Sequence, residues 1–156
     1  MGHEWAAEWA AKLKRKQAEA SLKDANFQER QRIKRDQGPG LWREVVQSLN
    51  NKCVLLNNAM SEEILGPDPE PITSTPYQVS LILRSHGSVS RLKVCFAQKA
   101  DRVIAECTVG PTERKWELAV NQAGKAHFQE GMIPAAPEEI AERSLDMLLN
   151  GRTDTR

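Results

Sequence analysis

Thiol and imidazole side chains have the widest chemical range in this chain, because they act as nucleophiles, general bases and metal ligands. The 156 residues include three cysteines and three histidines. Structural zinc sites usually hold pairs of ligands two to four residues apart, whereas Cys53, Cys95 and Cys107 are far more widely spaced. An odd number of cysteines also argues against a disulfide framework. We therefore predict free thiols, with no metal site and no cofactor.

A Cys95–His127 pair is one nucleophilic arrangement to consider, because both residues fall on the polar face of predicted strands. An imidazole beside a thiol can take its proton and activate it. The chain contains none of the spacings GxSxG, HExxH and GxxxxGK[ST] that mark hydrolases, metalloproteases and phosphate-binding loops. We interpret the protein as non-catalytic. A small-ligand binder or small enzyme on the polar sheet face, with His127 as acid–base group, is the second alternative.

Trp5 and Trp9 lie one helical turn apart in an otherwise polar segment, and Leu13 continues them at four-residue spacing. Large aromatic side chains are costly to leave in water, and tryptophan is enriched at interface hot spots. Three explanations are open: packing on the chain's own domain, packing against a second copy or another protein, and insertion into a membrane interface. Glu4 and Glu8 weaken the membrane explanation, because anionic lipid would repel them. The leading interpretation is a protein-interaction or self-association module whose partner-binding residues are Trp5, Trp9 and Leu13.

Two basic clusters lie about five turns apart on the same predicted helix. Such spacing can place positive charge along a phosphate backbone, so nucleic-acid binding is the first alternative. Acidic residues are interspersed, and Glu8–Lys12 and Glu19–Lys23 have the i, i+4 spacing of a solvated helix face. A formal net charge of +1 provides no overall basic field. The basic candidates are Lys12, Lys14, Arg15, Lys16, Arg30, Arg32, Lys34 and Arg35.

The composition is that of a globular chain, with 40% hydrophobic and 28% charged residues. The length fits one domain that can bury a core without disulfides. No stretch approaches the roughly 18 apolar residues of a membrane-spanning helix, and the polar N-terminus does not have the apolar centre of a signal peptide. We expect a soluble, cytoplasmic protein.

Three helices are predicted. Residues 3–36 are rich in strong helix formers, and Gly38-Pro39-Gly40 is predicted to end this first helix. Residues 39–65 carry apolar side chains at three- and four-residue spacing, which predicts a second, core-facing helix. A third begins near Pro137, which suits a first helical position, and ends before Gly151.

Between the second and third helices the apolar period changes to two, which predicts strands. Short turn segments separate them and favour antiparallel hairpins. Cys95 and Cys107 fall on opposite faces of this sheet. The fold class is α+β, with two helices, a meander of about five strands and a C-terminal helix covering the apolar sheet face. The predicted organisation is an N-terminal charged helix (1–37), an α+β body (38–151) and a frayed tail (152–156), with strands at 79–84, 91–96, 103–108, 115–120 and 125–129.

Overall fold

A computed structural model describes residues 2–68, 77–85, 87–99 and 102–150 of the chain. The fold is α+β: a long helix, an antiparallel sheet and a C-terminal helix, in that order. Helix α1 spans Gly2–Met60 and helix α2 spans Pro137–Asn150. The strands are β1 (Leu65–Pro67), β2 (Gln78–Ser85), β3 (Ser88–Lys99), β4 (Arg102–Val109), β5 (Thr112–Val120), β6 (Ala126–Glu130) and β7 (Ile133–Ala135).

Helix α1 is a single helix of 59 residues, so the prediction that Gly38-Pro39-Gly40 separates two helices is wrong. A proline inside a helix removes one backbone hydrogen bond and costs about 3 kcal/mol. Packing on the sheet offsets that cost here. The Gln37 side chain accepts a hydrogen bond from the Ala126 backbone N–H at 2.8 Å, and Trp42 is fully buried one turn beyond the proline. Tertiary contacts on both sides of Pro39 therefore favour one continuous helix.

Helix α1 ends at Met60, earlier than the predicted position 65, because Ser61 turns the chain with a positive φ of 54°. The Asn57 side chain then fixes the exit. Its Oδ1 accepts hydrogen bonds from the backbone N–H groups of Ile64 and Leu65, both at 3.0 Å. Its Nδ2 donates to the Leu65 carbonyl at 2.8 Å. Residues that were predicted to continue the helix thus enter β1.

The sheet is a seven-stranded meander in which each strand pairs with its neighbours in sequence. The five predicted strands correspond to β2–β6, and the meander order is confirmed. The two edge strands, β1 and β7, have three residues each, too few to show a period of two. Residues 69–76, between β1 and β2, lie outside the described residues, as does the predicted tail at 152–156.

One face of the sheet is covered by the C-terminal half of α1 and by α2, which also pack on each other. This face carries the core, as the alternating pattern predicts. Helix α2 contributes four buried apolar side chains to it, while Leu149 is exposed. The fully buried large side chains include Leu49, Leu83, Leu92, Leu118, Trp116, Phe128, Ile140 and Leu148.

Candidate protein-interaction site

The N-terminal half of α1 extends away from the body. Residues 3–30, named the arm below, are all exposed. At about 1.5 Å per residue the arm is roughly 42 Å long. The half-buried Ile33 is the first side chain of α1 that packs against the core. The arm is therefore a projecting helix, anchored only by its continuity with the buried part of α1.

The predicted partner-binding residues lie on this arm, and the structure does not pack them on the body. Trp5 is 63% exposed, Trp9 is 51% exposed and Leu13 is 51% exposed. The two indole rings contact each other, with centroids 5.5 Å apart. The structure therefore does not show the packing of the tryptophans on their own domain that was one of the three explanations.

These three side chains lie on the same side of α1 as the residues that dock on the body. Each is followed about ten helical turns later, at about 3.6 residues per turn, by a residue that packs against the core. The exposed stripe is thus an uncovered continuation of a packing face. The pairs are Trp5 with Leu41, Trp9 with Val45 and Leu13 with Leu49.

Five of the eight basic candidates for nucleic-acid binding share one side of the helix, within an arc of about 100° at about 100° per residue. They are Lys12, Arg15, Lys16, Arg30 and Lys34. Glu8 and Glu19 lie within the same arc and dilute its positive charge. Arg32 is engaged by Glu29, with Nη2 2.5 Å from a carboxylate oxygen, and lies 3.7 Å from Asp36. The Arg32 hydrogen bond lowers the pKa of Glu29. Nucleic-acid binding stays a prediction. The members on the arm itself are Lys12, Lys14, Arg15, Lys16 and Arg30.

An aromatic notch lies at the base of the arm, which sequence reasoning missed. It has a volume of about 260 Å³. Tyr77 and Phe96 line it from the sheet, and Lys34 and Pro39 line it from α1. Phe96 also stacks on Trp42, with ring centroids 5.6 Å apart. No local pattern joins these segments, because only the tertiary packing of α1 on β3 brings them together.

The polar sheet face does not assemble a catalytic pair. Cys95 lies on β3 and His127 on β6, which are three strands apart, or about 14 Å at about 4.8 Å per strand. The pairing register offsets them by about four more residues, roughly 13 Å, along the strands. The Cys95–His127 hypothesis is therefore wrong. Among the described residues, the buried Nδ1 of His127 has no hydrogen-bond partner that could orient it as a general base.

Ion pairs between neighbouring strands occupy the same face. Lys99 contacts Glu106 at 2.9 Å, and Arg102 contacts Glu117 at 3.6 Å. Side chains of Glu106 and Lys115 also stand directly opposite each other on β4 and β5. These contacts pair part of the charge on that face across neighbouring strands.

The three thiols have raised pKa values in the folded protein, which predicts low reactivity. Burial raises the pKa of Cys53 and of Cys95, and it raises the pKa of Cys107 to about 11. Because the thiolate is the reactive form, we expect the native chain to react with a disulfide reagent at pH 8 more slowly than a cysteine peptide. Cys95, the half-buried thiol, should react first.

The measurement is the absorbance released by the reagent over time, with Cys95→Ser as the matched control. That variant should lose the native-state reaction and retain two thiols that react only after unfolding. Native labelling of Cys107 at the rate of a free peptide would contradict this assignment.

The described residues hold no group of three or more histidine, cysteine, aspartate or glutamate side chains arranged for a metal ion. Within the same part of the chain, no helix combines the length and apolar content needed to cross a membrane. Comparison with protein-family models, curated proteins and solved structures finds no match. The arm is the candidate site because it carries two exposed tryptophans.

Proposed function

We propose that the protein is a non-catalytic interaction module in which the arm is the recognition element. The observation that carries this proposal is the exposure of Trp5 and Trp9 on a helix whose docking face continues through them. The body supplies the anchor, and the stripe Trp5, Trp9 and Leu13 supplies the contact. Protein partners that present a complementary apolar groove or helix fit this surface.

The exposed aromatic area is large enough to matter for affinity. A tryptophan or other aromatic side chain buries 150–250 Å² when it is fully covered. More than half of each indole is exposed, so covering both removes roughly 200 Å² of apolar surface from water. At about 25 cal/mol per Å² this contributes about 5 kcal/mol before the entropic cost of association. Two adjacent residues of this kind have the properties of a binding hot spot.

The continuity of α1 explains how so polar a helix presents these residues in a defined geometry. Isolated helices pay an unfavourable nucleation step, whereas extension of an existing helix adds one hydrogen bond per residue. The buried segment that contains Trp42, Val45 and Leu49 provides that existing helix. The arm thus extends a preformed helix, which reduces the ordering cost of binding.

The test compares the full chain with a Trp5→Ala/Trp9→Ala variant. Alanine has the highest helix propensity, and neither residue contacts the body, so the thermal midpoint should stay within about 2 °C. We expect affinity for any partner of the parent chain to fall at least about thirtyfold, as loss of a hot spot implies. Quantitative crosslinking of the purified chain in extracts of its own cells measures this.

Leu22→Ala is the matched control, because Leu22 is equally exposed but lies about 140° around the helix from Trp9. It should retain the associations of the parent. A double tryptophan variant that keeps its stability and every association of the parent chain would refute the proposed function.

A further inference from the structure

The large apolar residues of segment 4–14 lie symmetrically about Trp9. The segment reads Glu-Trp-Ala-Ala-Glu-Trp-Ala-Ala-Lys-Leu-Lys. When the direction is reversed about Trp9, Trp5 takes the place of Leu13, so large apolar side chains meet large apolar ones. The stripe of one arm can therefore cover the stripe of an antiparallel copy.

The two flanks of the stripe have different chemistry. At about 100° per residue, Glu8 and Lys12 lie on one side of Trp9, and Ala6 and Ala10 lie on the other. Within the described residues neither Glu8 nor Lys12 has an ion-pair partner within 4 Å. One flank is therefore charged with both signs, and the opposite flank is small and smooth.

We propose that the stripe is covered by a second copy of this chain, with two arms crossing antiparallel about a two-fold axis at Trp9. This inference rests on the proposed function and names its partner. In an antiparallel two-fold contact each flank faces its own copy. Glu8 then meets Lys12 of the partner subunit, and the same pair forms again on the other side of the axis.

The remaining geometry agrees with this arrangement. Trp5, Trp9 and Leu13 form one i±4 ridge, and two such ridges interdigitate at a crossing angle of about 50°. The alanines on the second flank, Ala6 and Ala10, let the two backbones approach closely. A crossing contact places the two bodies at opposite ends, where they do not collide.

Charge also selects the direction of pairing. In a parallel two-fold pair each flank would face the opposite flank of the other arm, so Glu8 and Lys12 would face alanines and form no inter-subunit ion pair. The antiparallel second copy satisfies both charges with the same two residues.

The contact extends over few turns, so it is smaller than the roughly 800 Å² per partner of a standard interface. We therefore expect a dissociation constant in the micromolar range or weaker, and a mass that rises with concentration. Analytical ultracentrifugation of the full chain over a broad concentration series is the measurement. The Trp5→Ala/Trp9→Ala variant of the full chain should stay monomeric at every concentration.

Charge reversal tests the register. E8K and K12E should each weaken dimerisation roughly tenfold, because each places like charges at both inter-subunit positions. An equimolar mixture of the E8K and K12E chains should associate at least as strongly as the parent, since every inter-subunit pair then has opposite signs. The E8K/K12E double variant should likewise recover the parent's affinity, and Leu22→Ala serves as the neutral control.

Two outcomes overturn this inference without touching the proposed function. The first is a full chain that stays monomeric throughout the series while the Trp5→Ala/Trp9→Ala variant still loses another association. The second is a dimer whose affinity is the same in E8K, K12E and their mixture, because the proposed register then does not exist. Failure of the proposed function is seen differently, as associations that survive loss of both tryptophans.

Discussion

Replacement of Phe128 by alanine is expected to lower the free energy of unfolding by about 3–5 kcal/mol, as large-to-small substitutions of buried aromatic residues do. Phe128 is fully buried on β6, where it meets the ring of Phe96 edge-on with centroids 6.1 Å apart. Phe96 in turn stacks on Trp42 of α1. Removing the Phe128 ring leaves a cavity beside Phe96, the ring that joins this cluster to α1, and so loosens the contact between the sheet and α1.

Urea denaturation followed by circular dichroism measures the loss, which should appear as a lower midpoint with an unchanged slope. Met132→Ala is the matched control, because Met132 is close in sequence and 90% exposed. It should change the free energy of unfolding by less than about 0.5 kcal/mol. A Phe128→Ala chain within about 1 kcal/mol of the parent would show that this cluster does not hold the fold together.

The burial of Phe128 is also an example of what the sequence predicts well. A period of two over β6 places Ala126 and Phe128 on one face and His127 on the other, and strand burial follows that alternation because one face packs on helices. Helix α2 is predicted equally well from Pro137 onward. In both segments the local preference and the tertiary environment favour the same structure.

The errors lie where local preference and tertiary packing disagree, or where a segment is too short to show a period. The strands β1 and β7 belong to the second class. The helix through Pro39 belongs to the first, because the hydrogen bond of Gln37 to the sheet and the burial of Trp42 decide its course. The aromatic notch and the distance between Cys95 and His127 depend on packing and strand register, which no local pattern contains.

The candidate site could be predicted from the sequence in part only. Trp5, Trp9 and Leu13 are identified from sequence because they contrast with their polar neighbours, and the structure adds that they remain exposed. A predicted break at Gly38-Pro39-Gly40 hides their alignment with Leu41, Val45 and Leu49, because two separate helices have no fixed rotation relative to each other. A continuous helix is what relates the orientation of the stripe to the docking face of the body.

Gly38 is the residue at which this continuity can be tested, and Gly38→Leu is expected to destabilise the protein by about 1–3 kcal/mol or more. A Cβ atom at this position would lie 3.1 Å from the Phe96 ring and 3.2 Å from a Leu118 methyl group. These are tighter than ordinary contacts, and both neighbours belong to the packed core. The larger side chain must therefore push α1 away from β3 and β5.

Gly40 provides the matched control two residues away, because a Cβ atom there would meet nothing within 4 Å. Gly40→Ala should stabilise the protein by about 0.5–1 kcal/mol, since glycine is the poorer helix former. Thermal and urea unfolding of both variants give the two signs. If Gly40→Ala destabilised the chain, this would indicate that Gly40 is not helical and that α1 is interrupted there, as the sequence predicts.

Gly38→Leu also tests whether a partner contacts only the stripe or the base of the arm as well. Gly38→Leu alters the point at which α1 leaves the body but leaves Trp5, Trp9 and Leu13 unchanged. If the stripe is recognised as a helix on its own, partner affinity should survive in Gly38→Leu under conditions in which the body stays folded. If affinity falls while the body stays folded, the partner also contacts the base of the arm, where the notch formed by Tyr77, Phe96, Lys34 and Pro39 lies.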